Sequence, residues 1–310
     1  MKYYIIIPAY NEEAFMGLTL QSLVEQTVLP TKLIVVNDNS TDKTAEIVSE
    51  FASQFPFIQL VNKKSDAIHL PGSKVIQAFQ EGEKHIDENY DIIVKIDADL
   101  IFPKNYFETI IKHFQSDDRI GMVGGFCYIE TRNKHIKSNK KNRVPEHLWQ
   151  KNEICEEKNG DWVLENLTDK DHIRGALKAY RKETFKQIGG LKPQMGWDTV
   201  DELLCKFYNW KVVTDESLHV KHLKPTGASY NQAARYKQGE AFYTLGYGFF
   251  ITAVASIKLA LRKGKPLLFL DYIKGFWKAK REKKNLLVTP EQAQFIRKYR
   301  WKKMIQKLKR

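Results

Sequence analysis

The chain has 310 residues, which is enough for two average domains or for one large α/β domain with an appendage. Its 43% apolar and 12% aromatic residues can fill a sizeable core and exclude wholesale disorder, while 17 Gly and 10 Pro exclude collagen-like classes. Three cysteines without a CxxC pair exclude a disulfide scaffold and a zinc ribbon, and they are typical of a reducing cytoplasm.

The net charge of +13 is concentrated in the C-terminal part of the chain. Residues 256–310 hold 18 Lys and Arg against 3 Asp and Glu, whereas residues 1–255 hold 32 basic and 34 acidic residues. This asymmetry indicates an anionic partner, either nucleic acid or a membrane, that the C-terminal part alone would bind.

The first 130 residues alternate short apolar runs with helical patterns. The first run is too short for a signal peptide and lacks a cleavage site, so we predict a strand there. Strands are predicted over residues 3–7, 32–37, 57–61, 91–96 and 120–128, and helices over 12–26, 41–55, 73–86 and 104–115. Asn11, Ser40 or Thr41, and Ser73 are candidate N-caps. This order predicts an open, mostly parallel α/β sheet flanked by helices.

The second part of the chain is less regular. Residues 131–171 are polar and longer than an ordinary connection, which is typical of a functional or disordered loop. Beyond them we predict strands over 173–180 and 211–213 and helices over 182–188 and 199–209. From residue 231 onward the pattern is helical, with breaks near 264–266 and 289–290.

Polar side chains follow the predicted strands. Ligands of open α/β sheets bind beyond the carboxyl ends of the strands, where these segments would lie. One such segment alone is more simply a cap or a turn, but four at one sheet edge are hard to explain in that way. The segments are Pro8-Ala9-Tyr10-Asn11-Glu12-Glu13, Asn37-Asp38-Asn39-Ser40-Thr41-Asp42, Gly72-Ser73-Lys74 and Asp97-Ala98-Asp99.

These segments resemble the family 2 glycosyltransferases, which have the GT-A fold. IPAYNEE resembles the opening strand and helix start of that family, VVNDNSTD its V-D-D-G-S-T-D, and IDADL its D-x-D motif. The resemblance continues over about residues 1–225 with Arg174-Gly175-Ala176, Arg181, Ile188-Gly189-Gly190-Leu191 and Asp198 to Leu204. It implies a GT-A nucleotide-sugar-binding and catalytic domain over 1–225. The helical and basic pattern of the rest of the chain predicts a membrane-associating region over 226–310.

The resemblance places a nucleotide-sugar donor against the first segments. Tyr10 would offer an aromatic face near the base, Asp38 would accept from a ring N–H, and Glu12 would accept from base or ribose. Asn37 stands where the family often has the first Asp of a pair, which leaves the donor base open. The implied donor-binding residues are Pro8, Ala9, Tyr10, Asn11, Glu12, Asp38, Lys74, Asp97 and Ala98.

Paired carboxylates at a strand end, with diphosphate oxygens and waters, would suit Mn²⁺ or Mg²⁺. By analogy with the family, Asp99 would bind the metal directly and Asp97 would contact the ribose or a metal-bound group. His222 is the candidate third ligand, with His219 as its rival. Arg235 and Lys237 could reach the diphosphate. A solvated Lys and a satisfied His are the alternatives for Lys74 and His222.

Inverting transfer needs a base that takes the proton of the acceptor hydroxyl. Alignment with the family pattern places Asp201 at the base position, with Val200 replacing the usual Glu, and Glu202 is the alternative base. Both residues could instead merely complement a helix N-terminus. Residues 232–236 read QAARY, a faint echo of the QxxRW motif of processive polymerases, and the terminal Tyr argues against processive synthesis.

The basic C-terminal part contains two apolar patches flanked by Lys and Arg, over residues 241–257 and 266–277. The first is at the lower limit for spanning a bilayer. The pattern is typical of interfacial helices on anionic lipid, and a packed appendage with a solvated basic face is the alternative. No nucleic-acid-binding motif is present, so nucleic acid is not expected.

The sequence therefore predicts a metal-dependent, inverting glycosyltransferase. It would transfer a sugar from a nucleotide-sugar donor to a saccharide or lipid-linked acceptor, in cell-envelope polysaccharide or glycolipid synthesis. We expect it to be cytoplasmic and peripheral on the inner face of the cytoplasmic membrane. The alternative is a catalytically inactive, nucleotide- or glycan-binding relative on a membrane anchor. A dehydrogenase is excluded because no GxGxxG follows the first strand.

Overall fold

A computed structural model of the chain describes residues 1–64, 72–130, 162–165, 172–224 and 236–308. These residues form two compact units. The first comprises the described residues within Met1–Ile68, Val75–Gly190 and Asn209–Thr226. The second comprises those within His69–Lys74, Leu191–Tyr208 and Gly227–Arg310. The domain boundary at residues 225 and 226 stays a prediction.

The first unit is built on one sheet with nine described strands. They are β1 (Tyr3–Ala9), β2 (Lys32–Asp38), β3 (Ile58–Lys63), β4 (Ile92–Ile96), β5 (Leu100–Ile101), β6 (Ile120–Glu130), β7 (Trp162–Leu164), β8 (Leu177–Arg181) and β9 (Lys211–His222). Their order in the sheet is β3-β2-β1-β4-β8-β6-β9-β5, and β7 pairs with β6. Six of these strands run in one direction, and β5, β7 and β8 run in the other. The predicted mostly parallel, open sheet is confirmed.

Five of the described helices lie between these strands within the first unit. They are α1 (Met16–Val24), α2 (Thr44–Gln54), α3 (Ser73–Glu83), α4 (Tyr106–Ser116) and α5 (Lys182–Gln187). The Ile and Val runs of β1, β2 and β4 are buried because helices cover both faces of a parallel sheet. The parallel order β3-β2-β1-β4 brings the carboxyl ends of these strands to one edge, where the polar segments that follow β1, β2 and β4 lie.

Three details of the prediction were wrong. Strand β8 begins at Leu177, four residues later than predicted. Helices α1 and α2 begin three or four residues later than predicted, and neither has a side-chain hydrogen bond at its N-cap. Strand β9 is twelve residues long instead of three, so both of its histidines lie within the strand and not after it. Its pairing with β6 jumps between Gly124↔Thr214 and Phe126↔His219. This irregularity interrupts the alternation that marks a strand in a sequence.

The second unit is helical in its described part. It contains α6 (Trp197–Phe207), α7 (Lys237–Thr244), α8 (Phe249–Arg262), α9 (Leu268–Arg281) and α10 (Pro290–Leu308). The predicted helical pattern and both breaks are confirmed in the residues that the structure covers here. None of the described helices combines the length and the apolar composition needed to cross a bilayer.

Candidate functional site

The loops after β1 and β2 are tied together by hydrogen bonds between side chains and backbone. The Asn11 N–H donates to Ser40 Oγ at 3.0 Å, and the Thr41 N–H donates to Asn11 Oδ1 at 2.8 Å. The Glu12 N–H donates to Thr44 Oγ1 at 2.8 Å. Asn11 and Ser40, which we predicted as helix caps, therefore bind the neighbouring loop instead. These bonds hold the loop that carries Glu12 in a fixed conformation.

A side chain of helix α1 makes hydrogen bonds to the backbone of and just after the Asp97-Ala98-Asp99 segment. Buried Thr19 donates its hydroxyl to the Ala98 carbonyl at 2.7 Å and accepts the Leu100 N–H at 3.1 Å. Immediately after Asp99, Leu100 pairs with His222 in the antiparallel contact between β5 and β9. The Leu223 N–H also donates to the Asp99 carbonyl at 2.9 Å. The chain therefore fixes Asp99 beside His222 through its backbone.

Asp99 and His222 form the centre of a buried polar group. His222 Nε2 lies 3.4 Å from Asp99 Oδ2, and its Nδ1 lies 2.6 Å from Glu165 Oε2. Arg174 Nη1 lies 3.2 Å from the same Glu165 oxygen. Burial lowers the pKa of His222, but its hydrogen bonds to Asp99 and Glu165 outweigh burial and raise the pKa to about 9.

This donor set fits a divalent metal. Asp99 Oδ2 and His222 Nε2, which are 3.4 Å apart, are oxygen and nitrogen donors that could both contact one Mn²⁺ or Mg²⁺ ion. A carboxylate on the other ring nitrogen is the usual support of a metal-binding His, and Glu165 provides it. His219 is three positions from His222 along β9 and packs edge-on against Tyr128, so it is not the histidine beside Asp99.

The Cys127 thiol lies in the same group. A ligand atom of Cys127, one of Glu165 and one of His222 lie within 4.8 Å of one another. Complete burial raises the pKa of the Cys127 thiol, which therefore stays protonated near neutral pH. Mn²⁺ and Mg²⁺ prefer oxygen and nitrogen donors to sulfur, so Asp99 and His222 are the better metal-binding pair.

Asp97 is paired with Lys95 and is not part of the group around His222. The Lys95 ammonium, almost completely buried on β4, contacts the Asp97 carboxylate and donates to the Gly175 carbonyl at 2.9 Å. The Asp97 N–H donates to the Ala176 carbonyl at 2.9 Å. Asp97 remains about one-third exposed, so it can also contact a ligand.

Glu12 lies near both aspartates. Burial and the Asp99 and Asp97 carboxylates raise the pKa of Glu12, and Lys224 lowers it in part. Lys224 Nζ is 3.0 Å from Glu12 Oε1, whereas the buried Glu12 Oε2 has no hydrogen-bond partner among the residues that the structure describes. A buried acceptor without a partner is costly, and a ligand hydroxyl or N–H would satisfy it.

The end of β2 is paired with β3 in register. Asn37 Nδ2 donates to Asn62 Oδ1 at 2.8 Å, and Asn37 Oδ1 accepts the Ser40 N–H at 3.2 Å. Asp38 Oδ1 lies 3.2 Å from the Lys63 ammonium. Both amide atoms of Asn37 are thus engaged within the protein, and Asp38 is the carboxylate at this strand end.

The remaining predicted donor-binding residues are more dispersed. Pro8 and Ala9 lie within the last residues of β1, and Tyr10 follows them with 59% of its surface exposed. Lys74 lies in the first turn of α3. Arg235 is outside the described residues, and so is most of the long polar segment.

The two candidate bases lie on α6 in the second unit. Asp201 and Glu202 are both buried, and the Glu202 N–H donates to Asp201 Oδ1 at 2.6 Å. Glu202 Oε2 lies 3.8 Å from Lys206 Nζ, one helical turn further on. Each carboxylate is therefore engaged within its own helix.

Sequence reasoning missed several residues of the site. Glu165 lies just after β7, and its N–H donates to the Cys127 carbonyl at 3.0 Å. Lys95 looks like one more residue of a buried strand, and Lys224 looks like an exposed lysine. A lysine within a predicted apolar strand, two residues before the predicted donor-binding Asp97, was the only signal available in the sequence.

Comparisons with known proteins bear on this site. Residues 4–189 match the family described as Glycosyl transferase family 2. The chain is 34% identical over 124 residues to the probable glycosyltransferase YdaM of Bacillus subtilis (strain 168), covering 39% of this chain and 28% of that protein. It is 28% identical over 122 residues to the poly-beta-1,6-N-acetyl-D-glucosamine synthase of Staphylococcus epidermidis, covering 39% and 27%. The chain thus spans about a quarter of the length of these two relatives.

Among solved structures, the fold resembles the mannosyltransferase PcManGT from Pyrobaculum calidifontis in complex with GDP-Man and Mn²⁺. The TM-score is 0.54 at 16% identity, and the match covers 95% of this chain and 78% of that chain. At this identity the likeness concerns the fold alone. The predicted GT-A-type fold with a helical C-terminal appendage is confirmed.

Proposed function

This chain belongs to glycosyl transferase family 2, and from that premise we propose a metal-dependent, inverting transfer of a sugar from a nucleotide-sugar donor. The observation that carries the proposal is the buried arrangement in which Asp99 and His222 face each other at 3.4 Å with Glu165 behind the imidazole. The mannosyltransferase of similar fold holds GDP-Man and Mn²⁺, which supports a donor and a metal of the same classes here.

Asp99 and His222 would hold Mn²⁺ or Mg²⁺ directly. The metal, when bound, offsets the negative charge that builds on the departing diphosphate. Arg174 neutralises Glu165, and Glu165 keeps the His222 ring oriented. Lys95 neutralises Asp97. Asp97 would contact the ribose or a group bound to the metal.

The loops after β1 and β2 would bind the nucleotide. Glu12 Oε2 would accept a hydrogen bond from base or ribose, Tyr10 would stack on the base, and Asp38 would accept from a ring N–H. The paired loop backbones make this surface rigid before a donor arrives, which reduces the ordering cost of binding. We include Pro8, Ala9, Asn11, Lys74 and Ala98 in the same donor-binding set.

Asp201, or Glu202 in its place, would be the general base. It would take the proton of the acceptor hydroxyl as that oxygen attacks the anomeric carbon of the sugar. The bond between the anomeric carbon and the diphosphate oxygen breaks in the same step, and the nucleoside diphosphate leaves. Attack opposite the leaving group inverts the configuration at that carbon.

The acceptor we propose is a saccharide or a lipid-linked saccharide of the cell envelope. One relative is named as the synthase of a polysaccharide, poly-beta-1,6-N-acetyl-D-glucosamine, which supports an acceptor of that class. The excess positive charge of residues 256–310 supports a position on the inner face of the cytoplasmic membrane, where lipid-linked acceptors would be reached.

A thermal-unfolding screen of nucleoside diphosphates tests the proposal. A ligand that binds only the folded chain raises its unfolding temperature, and the rise grows with the logarithm of the ligand concentration divided by Kd. We expect one nucleoside diphosphate to stabilise the full chain in the presence of Mn²⁺ and to do so much less with a chelator. Equal stabilisation with and without metal would contradict the proposed metal dependence, and no stabilisation by any nucleotide would contradict the proposed donor class.

A further inference from the structure

Helix α8 carries an apolar stripe on its exposed side. Phe250, Val254, Ile257 and Leu261 follow the spacing of four, three and four residues that places side chains on one helix face. All four are exposed, Phe250 by 72% and Leu261 by 66%. The opposite face, which includes Ile251, is buried in the helical unit, so the stripe is not the inward face of the helix. An exposed apolar stripe of this regularity indicates a site of interaction with a protein or a membrane.

Helix α9 continues the apolar surface. Leu270 and Trp277 are two turns apart and exposed, and the Trp277 ring packs on Phe249 at the start of α8 with 5.6 Å between ring centroids. The other side of α9 is fixed against α7, because a Cβ at Gly275 would lie only 2.1 Å from the Tyr236 carbonyl oxygen. The exposed side therefore cannot turn inward without separating α9 from α7.

Positive charge surrounds this surface. From Lys258 to Lys284 the chain has ten Lys and Arg and only two acidic residues. Asp271 is buried, and Glu282 is engaged by Lys278 at 3.9 Å and Lys284 at 3.8 Å. The Lys280 ammonium lies 4.8 Å from the centre of the Trp277 ring. An aromatic and aliphatic centre with a basic border is the composition of an interfacial helix pair.

We propose that this α8–α9 surface, formed by Phe250, Val254, Ile257, Leu261, Leu270 and Trp277, docks on an anionic lipid bilayer. The inference refines the membrane position in the proposed function and rests on that part of it alone. One argument favours lipid over a second copy of the chain, and another favours lying in the membrane interface over spanning the bilayer. The basic border of one copy would repel that of another, whereas acidic headgroups attract it. A fourteen-residue helix is about 21 Å long, which suits lying in the interface better than spanning it.

Vesicle flotation with the full chain tests the proposal. The variant Phe250→Ser/Leu261→Ser removes apolar area from the stripe but no charge. We expect its affinity for phosphatidylcholine vesicles with about a third phosphatidylglycerol to fall about 10–100-fold, since two large side chains no longer enter the lipid. The matched control is Val28→Ser/Leu29→Ser, which changes two exposed apolar residues of the first unit and should bind like the native chain.

A second measurement keeps the result interpretable if a variant folds poorly. Lipids brominated on the acyl chain should quench the tryptophan fluorescence of the native chain when it binds. The Trp277→Phe variant should still bind but lose most of that quenching. Stabilisation by nucleoside diphosphate, measured in the same variants, reports the donor site separately from the membrane surface. Native binding by Phe250→Ser/Leu261→Ser would overturn the proposal. So would a native dimer in sedimentation that these two substitutions dissociate, because a second copy would then cover the stripe.

Discussion

Glu165 lies between Arg174 and His222, and its proposed role can be tested separately from that of Asp99 and His222, the proposed metal ligands. We predict that Glu165→Gln lowers the affinity for Mn²⁺ about 10–100-fold, because the amide no longer orients and polarises the imidazole as a carboxylate does. Calorimetric titration of Mn²⁺ into the full chain measures this affinity. The control is Asp117→Asn, which removes a carboxylate that is not part of the Asp97-Ala98-Asp99 segment. Asp117 Oδ2 lies 2.6 Å from Lys211 Nζ. Equal Mn²⁺ affinity in both variants would contradict the role of Glu165.

Asp201 and Glu202 of α6 are the two candidates for the general base, and substitutions distinguish between them. Asp201→Asn keeps the size and the hydrogen bond to the Glu202 N–H but cannot accept a proton. We expect it to lower turnover about 10²–10⁴-fold with nucleotide binding nearly unchanged. Steady-state kinetics of Asp201→Asn and Glu202→Gln, compared side by side, decide between them. If the Asp201→Asn variant keeps its turnover and the Glu202→Gln variant loses it, Glu202 and not Asp201 is the general base.

At the residue scale, the sequence predicts the local parts of the site and misses the partners that come from far along the chain. Asp97 and Asp99 are visible because they follow a buried strand within one short motif. Glu165 is not, because its contact with His222 depends on the pairing of a three-residue strand with β6. Nothing in a polar segment of that length indicates which carboxylate turns inward.

At the scale of elements, the helical unit depends on the close approach of α7 and α9. Gly239 lies against the Tyr272 carbonyl and Gly275 against the Tyr236 carbonyl, so neither has room for a side chain. We predict that Gly275→Ala lowers the free energy of unfolding by about 1–3 kcal/mol through overpacking. Denaturant unfolding of the full chain measures the change.

The control for this effect is Gly17→Ala on α1. The nearest atom to its added methyl group would be Ile47 Cγ2 at 3.9 Å, which is ordinary contact. Alanine at such a helical position should leave stability unchanged or raise it by about 0.5–1 kcal/mol. A Gly275→Ala chain as stable as Gly17→Ala would contradict the close packing of α7 on α9.

Elements with a continuous apolar run or a regular helical period were predictable, and irregular ones were not. β1, β2 and β4 are buried on both faces, so their Ile and Val runs stand out. β9 has polar residues within it and a register shift against β6, and β5 has only two residues. Yet the pairing of β5 with β9 is what places Asp99 beside His222.

At the scale of the whole molecule, charge and apolar surface divide along the chain. Residues 1–255 are nearly neutral and contain Asp99 and His222, the proposed metal ligands, while residues 256–310 carry the excess of positive charge. The sequence predicts this division because charge needs no tertiary structure to be counted. It does not show which apolar residues of the C-terminal part stay exposed, since that depends on how α9 packs on α7.

Release of nucleoside diphosphate from a nucleotide sugar tests the central claim most directly. With the full chain and a panel of guanosine and uridine diphosphate sugars, we predict release that requires Mn²⁺ or Mg²⁺. This release should stop with a chelator and in Asp99→Ala, and it should continue in Asp117→Asn. Release at the native rate in the presence of chelator, or undiminished in Asp99→Ala, would contradict a metal-dependent transfer at Asp99 and His222.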